Sequence, residues 1–136
     1  MPDREQFLKE ANIAVLSTVD AAGRPHGAPV WYLYDNGVCT ISTGRGSQKH
    51  RNIERNPEVS LVIDSRTLPY YALMISGRAE IGPPFSPDER LRLAVRYLGE
   101  EMGRRYIEMT RGEDSISLSI QPRKTIEFDG RAGRAR

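Results

Sequence analysis

The sequence predicts a mainly β (α+β) domain: an antiparallel β-barrel, closed or split, with short peripheral helices. Three observations predict it. About seven short runs are rich in β-branched and aromatic residues. Most are joined by tight turns rather than by the helical crossovers a parallel sheet needs. The helical signals are few and short, and no internal repeat or linker breaks the pattern.

Asp3 with Gln6 reads as a capping box for a first helix near residues 3–11, with Phe7, Leu8 and Ala11 as its apolar stripe. Ile13 to Val19 is β-rich, and the stretch from Asp20 to Pro25 reads as a hairpin turn. Ala28 to Tyr34 is the next strand. Asn36-Gly37 is a strong two-residue hairpin signal, and Val38 to Thr43 returns. The first third is thus expected to be a helix and a three-stranded meander. In the middle strand, Trp31 and Leu33 are expected on one face, Tyr32 and Tyr34 on the other.

Ser47 caps a helix that runs to about Arg55 and stops at Asn56-Pro57. Val59 to Asp64 is nearly all apolar, as a central strand would be. Arg66 to Pro69 turns the chain into a long strand from Tyr70 to Ile81, with Gly77 as a bulge or barrel corner. Pro83-Pro84 ends it. Ser86-Pro87-Asp88-Glu89 then starts a helix with an N-cap, an N1 proline and an N3 glutamate. Gly99 closes that helix, and a second runs from about Glu100 to Arg111. Ser115 to Ile120 and Lys124 to Phe128 are expected as two strands separated by Pro122.

The 136 residues suit one domain, expected over 1–129. The basic tail, 130–136, has nothing to pack and reads as disordered. No apolar run approaches the roughly 20 residues of a membrane helix. Cys39 stands alone, so no internal disulfide forms. It reads as a small buried hydrophobe, and a reducing, cytoplasmic setting is expected. Bases concentrate between Arg45 and Arg55, where Arg45, Lys49, Arg51 and Arg55 face the single acid Glu54. In a near-neutral chain such a cluster suggests a discrete anion site rather than a nucleic-acid surface.

The chemistry concentrates in Ser42-Thr43-Gly44-Arg45-Gly46-Ser47-Gln48-Lys49. It joins a strand end to a helix start, where unpaired N–H groups and the helix dipole favour an anion. Thr43 and Ser47 add hydroxyls, Lys49 a charge, and Arg45 or Arg51 a bidentate fork. Spacing leaves two readings open: a phosphate grip, or a solvated loop with an ordinary serine cap. The loop lacks the Walker spacing. His26 and His50 have no partners at metal-ligand spacing, and no nucleophile elbow or acid–base pair stands out. A phosphate grip without a catalytic dyad suits a protein whose chemistry belongs to a cofactor.

The pieces Ala14–Val19, Gly23-Arg24-Pro25-His26, Pro29-Val30-Trp31-Tyr32, Gly46–Asn52, Asn56–Val59, Gly77-Arg78-Ala79 and Arg96–Gly99 occur in one order and spacing. Together they resemble the split β-barrel flavin/deazaflavin oxidoreductases related to pyridoxamine 5′-phosphate oxidase, over about Glu5 to Phe128. The likeness is strongest to the branch using the deazaflavin coenzyme F-420; relatives use FMN, and some bind flavin or haem without turnover. The resemblance implies a homodimer with the cofactor at its interface, and a hydride passed to a small unsaturated or quinone-like substrate. It implies that Ser47, Lys49, Arg51 and Asn52 hold the cofactor phosphate. It also implies that Pro29, Val30 and Trp31 lie along the ring, with Ser42 and Thr43 beside it. Tyr70 and Tyr71 are expected to approach from the partner subunit. No metal, membrane or nucleic-acid partner is implied.

Overall fold

The computed structural model describes residues 3–130 and 134–135. Its elements in order are α1 (Arg4–Lys9), β1 (Ala14–Val19), β2 (Pro25–Val30), β3 (Leu33–Asp35), β4 (Val38–Gly44) and α2 (Gln48–Arg55). Then follow β5 (Glu58–Asp64), β6 (Tyr71–Gly82), α3 (Pro87–Leu98), α4 (Glu100–Met109), β7 (Ser115–Asp129) and β8 (Arg134–Ala135). One antiparallel sheet runs β2-β1-β5-β6-β7-β4-β3, with β8 against β7. It curls into a half-barrel, the split-barrel class the sequence predicts. β5 lies between β1 and β6, as its apolar run implies.

Period-two patterning holds the curl together. β1, β5 and the first half of β6 alternate buried and partly exposed positions. Leu16, Ile41, Leu61, Ile63, Leu73 and Leu118 are completely buried. Each contributes about 1.5–3 kcal/mol relative to an exposed side chain. Helix α1 covers one end with Phe7 and Leu8, and the Phe7 ring meets Tyr71 edge-on at 4.7 Å. Its cap is Asp3 alone, accepting from Glu5 N–H; the reciprocal contact expected from Gln6 does not form. The full capping box is at Ser86 and Glu89, where α3 begins.

Three expectations are corrected. The meander does not form, because Ala28–Tyr34 is two strands that lie at opposite ends of the sheet path. β2 pairs with β1, whereas β3 pairs with β4. The break falls at Trp31–Tyr32, where the Tyr32 N–H donates to the Tyr97 hydroxyl instead of a neighbouring strand. Face alternation therefore fails there, and Tyr32 and Leu33 are both buried. Finally, Pro122 does not divide the last strand. It lies opposite Gly77 at a register shift, where its missing N–H costs no regular ladder bond.

Gly77 is the bulge expected of it, and the reason is close approach. A Cβ there would lie 2.2 Å from the Gln121 carbonyl oxygen. Beyond Asp129, Arg134 and Ala135 pair with Asp129 and Phe128. The rest of the tail expected to be disordered, 131–133 and 136, lies outside the described residues. No helix among the described residues is long and apolar enough to cross a membrane.

Candidate functional site

A cleft of about 470 Å³ opens between the sheet and the α3–α4 hairpin. Pro29, Val30 and Trp31 form one wall, at the end of β2. Ser42, Thr43 and Lys49 form another, where β4 gives way to α2. Ser47, Arg51 and Asn52 are not among the lining residues.

The loop between β4 and α2 is built from local bonds. Gly46 takes φ of 78°, which favours glycine. Ser47 caps α2, its Oγ accepting from His50 N–H and lying 3.2 Å from Thr43 Oγ1. Three loop amides are already used. Arg45 N–H donates to the Asp114 carbonyl, Gly46 N–H to His50 Nδ1, and Ser47 N–H to the Gly44 carbonyl. That leaves the first-turn N–H groups of Gln48 and Lys49, which have no acceptor among the described residues. The Lys49 ammonium likewise has no carboxylate within salt-bridge distance among the described residues, while Arg45 is paired with Asp114 at 3.0 Å.

Arg51 and Asn52 brace the loop. Arg51 donates to the Gly46 carbonyl at 2.6 Å and to Gln48 Oε1 at 2.7 Å. Asn52 is fully buried; its Nδ2 donates to Thr18 Oγ1 and its Oδ1 accepts from Gln48. Nothing in the local pattern distinguishes these bracing roles from direct ligand contact, because Arg51 and Asn52 follow the same serine cap as the cleft-lining Lys49.

The opposite wall was not legible in the sequence. Phe85, Arg90, Leu93, Tyr106, Ile107 and Thr110 of the hairpin line the cleft. The Arg90 guanidinium is held by Thr110, 2.7 Å from its Oγ1. Gly103 lets α4 lie against the α3 backbone, since a Cβ there would meet Val95 N at 2.9 Å. The Trp31 indole stacks on Tyr97, with ring centroids 4.9 Å apart and planes 4° from parallel, and Tyr106 flanks it at 5.5 Å.

Besides Lys49, the ionisable residues lining the cleft are Arg90, Tyr106, Glu113 and Asp114, the last paired with Arg45. His26 is bonded to Asp20 at the β1–β2 turn, and His50 is buried under the loop. Burial pushes the Cys39 thiol up to about 12, so it is inert. Burial raises the Tyr97 hydroxyl too, keeping it a neutral donor. Tyr71, expected to reach a partner subunit, is committed to its own core, its hydroxyl on Glu127 and burial raising it to about 12. Tyr70 is half exposed. Among the described residues no cluster could hold a metal ion.

These residues suit an anionic, planar ligand. The Lys49 ammonium, without a carboxylate partner among the described residues, stands at one end beside the start of α2, and the apolar and aromatic residues Pro29, Val30 and Trp31 run beside it. The family model described as pyridoxamine 5′-phosphate oxidase matches residues 2–135. A 5a,11a-dehydrotetracycline/5a,11a-dehydrooxytetracycline reductase of Streptomyces rimosus is 32% identical over 105 residues, covering 66% of this chain and 74% of that protein. A biliverdin reductase of Mycobacterium tuberculosis, dependent on reduced F-420, is 31% identical over 99 residues, 70% of each chain. Among solved structures, an F-420 reductase superposes with a TM-score of 0.73 at 25% identity, covering 92% of this chain and 98% of the other.

Proposed function

This chain belongs to the pyridoxamine 5′-phosphate oxidase family, and from that membership we propose that it is a cytoplasmic, F-420-dependent oxidoreductase. It passes a hydride from reduced deazaflavin to a small unsaturated or quinone-like substrate. One observation carries the reading. Lys49, which has no carboxylate partner among the described residues, lines the cleft that Pro29, Val30 and Trp31 wall, at the start of α2, where the Gln48 and Lys49 N–H groups have no acceptor among the described residues. Two F-420-linked relatives support the deazaflavin reading.

Lys49, the Gln48 and Lys49 N–H groups and the Ser47 and Thr43 hydroxyls would hold the cofactor phosphate by charge-assisted bonds. Arg51 and Asn52 serve the same end by keeping the loop in shape. Pro29 to Trp31, with Ser42, would border the ring. When bound, the deazaflavin supplies the hydride. The chain's own part is binding, orientation and exclusion of water. Phe85, Leu93 and Ile107 give the facing wall apolar surface beside Arg90 and Thr110, which suits a substrate with a carbon framework and a polar group. The protein acts as a homodimer with the cleft at the interface. Met102, Tyr106 and Met109, exposed on one side of α4 next to the cleft, support that arrangement.

The test is titration with coenzyme F-420 and with FMN, followed by Trp31 emission, since Trp31 is the sole tryptophan. Saturable quenching with tighter F-420 binding is expected. No saturable change with either at tens of micromolar sinks the reading. A protein purified yellow, with FMN bound more tightly, moves the assignment to an FMN enzyme, a reading the family membership also supports. Tight binding without reduction of any quinone or enone offered would mark a carrier.

A further inference from the structure

The break between β2 and β3 leaves Trp31 and Tyr32 outside the sheet ladder. A side chain from α3 repairs it. The Tyr97 hydroxyl accepts the Tyr32 N–H at 3.2 Å and donates to the Asn12 carbonyl at 2.7 Å. Its ring lies flat against the Trp31 indole. Arg96, the preceding residue, ties the same end of α3 to the end of α1. It donates to the carbonyls of Leu8, Lys9 and Glu10, and its guanidinium lies 4.9 Å from the Tyr32 ring centroid. The indole thus meets a ring that is itself anchored at its far end by two hydrogen bonds.

We propose that Tyr97 is a positioning residue that sets the orientation of Trp31, and with it the face the cleft offers to a planar ring. It lies outside the lining residues, so it acts through Trp31 rather than by touching the ligand. An indole has two side-chain torsions. Without a neighbour on its covered face it is free to turn across the cleft, and a planar ligand must then order it at an entropic cost. A parallel partner removes that cost before binding. The need arises from the strand break: within a regular strand, cross-strand neighbours would hold the side chain. Tyr106 is a second ring neighbour, its centroid 5.5 Å from that of the indole and its plane tilted by 52°. The inference rests on the cofactor reading for its consequence but not for its geometry.

The test compares Tyr97→Phe, which keeps the ring, with Tyr97→Leu, which does not. In the ligand-free protein, Tyr97→Leu should shift Trp31 emission and near-ultraviolet circular dichroism, while Tyr97→Phe, which keeps the stack but loses both hydroxyl bonds, should shift them clearly less. Tyr97→Leu should weaken FMN and riboflavin equally, by about three- to tenfold, the usual worth of an aromatic pair. Loss of a phosphate contact would instead weaken FMN alone. Tyr97→Phe should restore affinity. Far-ultraviolet circular dichroism and a thermal melt establish that each variant is folded. Unchanged Trp31 spectra in folded Tyr97→Leu overturn the proposal. So does a Phe variant as impaired as the Leu variant, which would make the hydroxyl, not the stack, decisive. If wild type binds neither flavin nor deazaflavin, the cofactor reading fails, and the ligand-free spectra still decide the role of Tyr97.

Discussion

The backbone N–H of Gly46 donates to Nδ1 of His50, 2.9 Å away. The histidine is buried, with Nε2 3.7 Å from Glu54. An accepting Nδ1 fixes the tautomer with its proton on Nε2. His50 thereby shapes the loop that precedes Lys49. His50→Ala should lower unfolding free energy by about 1–3 kcal/mol, because the Gly46 N–H loses its acceptor. It should also weaken FMN binding. Urea unfolding and a fluorescence titration check both, and wild-type values in each would refute the role.

Lys49→Ala should weaken FMN binding by about 1.5–3 kcal/mol, the usual worth of a charge-assisted hydrogen bond. Riboflavin, which lacks the phosphate, should bind as before. Calorimetric titration of the two ligands reads the difference. Equal losses for both would mean that Lys49 does not contact the phosphate.

Asn52→Ala should act on stability rather than on contact. The amide bridges Thr18 and Gln48 in full burial. Its removal strands polar groups at a cost of about 1–3 kcal/mol. The folded fraction should bind FMN only modestly more weakly than wild type, through a looser loop rather than a lost contact. A large affinity loss in a fully folded variant would show that Asn52 meets the ligand directly.

Gly77→Ala should be among the most damaging single substitutions. The added Cβ meets the Gln121 backbone, which has no flexible end to move aside. A loss of more than about 3 kcal/mol is expected, at or beyond the upper range of ordinary overpacking. Failure to express as a folded protein agrees with this, and a melting temperature near wild type does not.

Asp20 sets the acid dependence of the first hairpin. Its Oδ2 bonds His26, and its Oδ1 accepts from the Ala22 and Arg24 N–H groups. The His26 bond first, then the backbone bonds, hold its carboxyl below the ordinary 3.8. A depressed carboxylate contributes stability above its unfolded value and loses it as pH falls through the folded one. Asp20→Asn should therefore melt lower than wild type at neutral pH. That gap should close as pH falls below 3.8; a gap independent of pH would point to packing instead.

Local chemistry was legible from the sequence wherever one stretch of chain decides its own conformation. The Asn36-Gly37 turn, the Ser86 capping box and the Ser47 cap follow from side chains within a few residues. So does the place of the glycine loop, Gly44 to Gly46, between a strand end and a helix start. The resemblance then supplied the cofactor class, which no spacing rule carried.

The sequence by itself determined the four helices, most of the strand-forming segments, the antiparallel class and the position of the loop, because turns, caps and two-residue periodicity are short-range. Tertiary structure alone decided that β2 and β3 part company, that β7 runs through Pro122, and which bases face the cleft. Those outcomes depend on partners far along the chain: Tyr97 is 65 residues from the Tyr32 amide it receives, and Thr18 is 34 from Asn52. A backbone N–H reads the same in sequence whether a neighbouring strand or a distant tyrosine satisfies it. Only the folded chain brings one of them within reach.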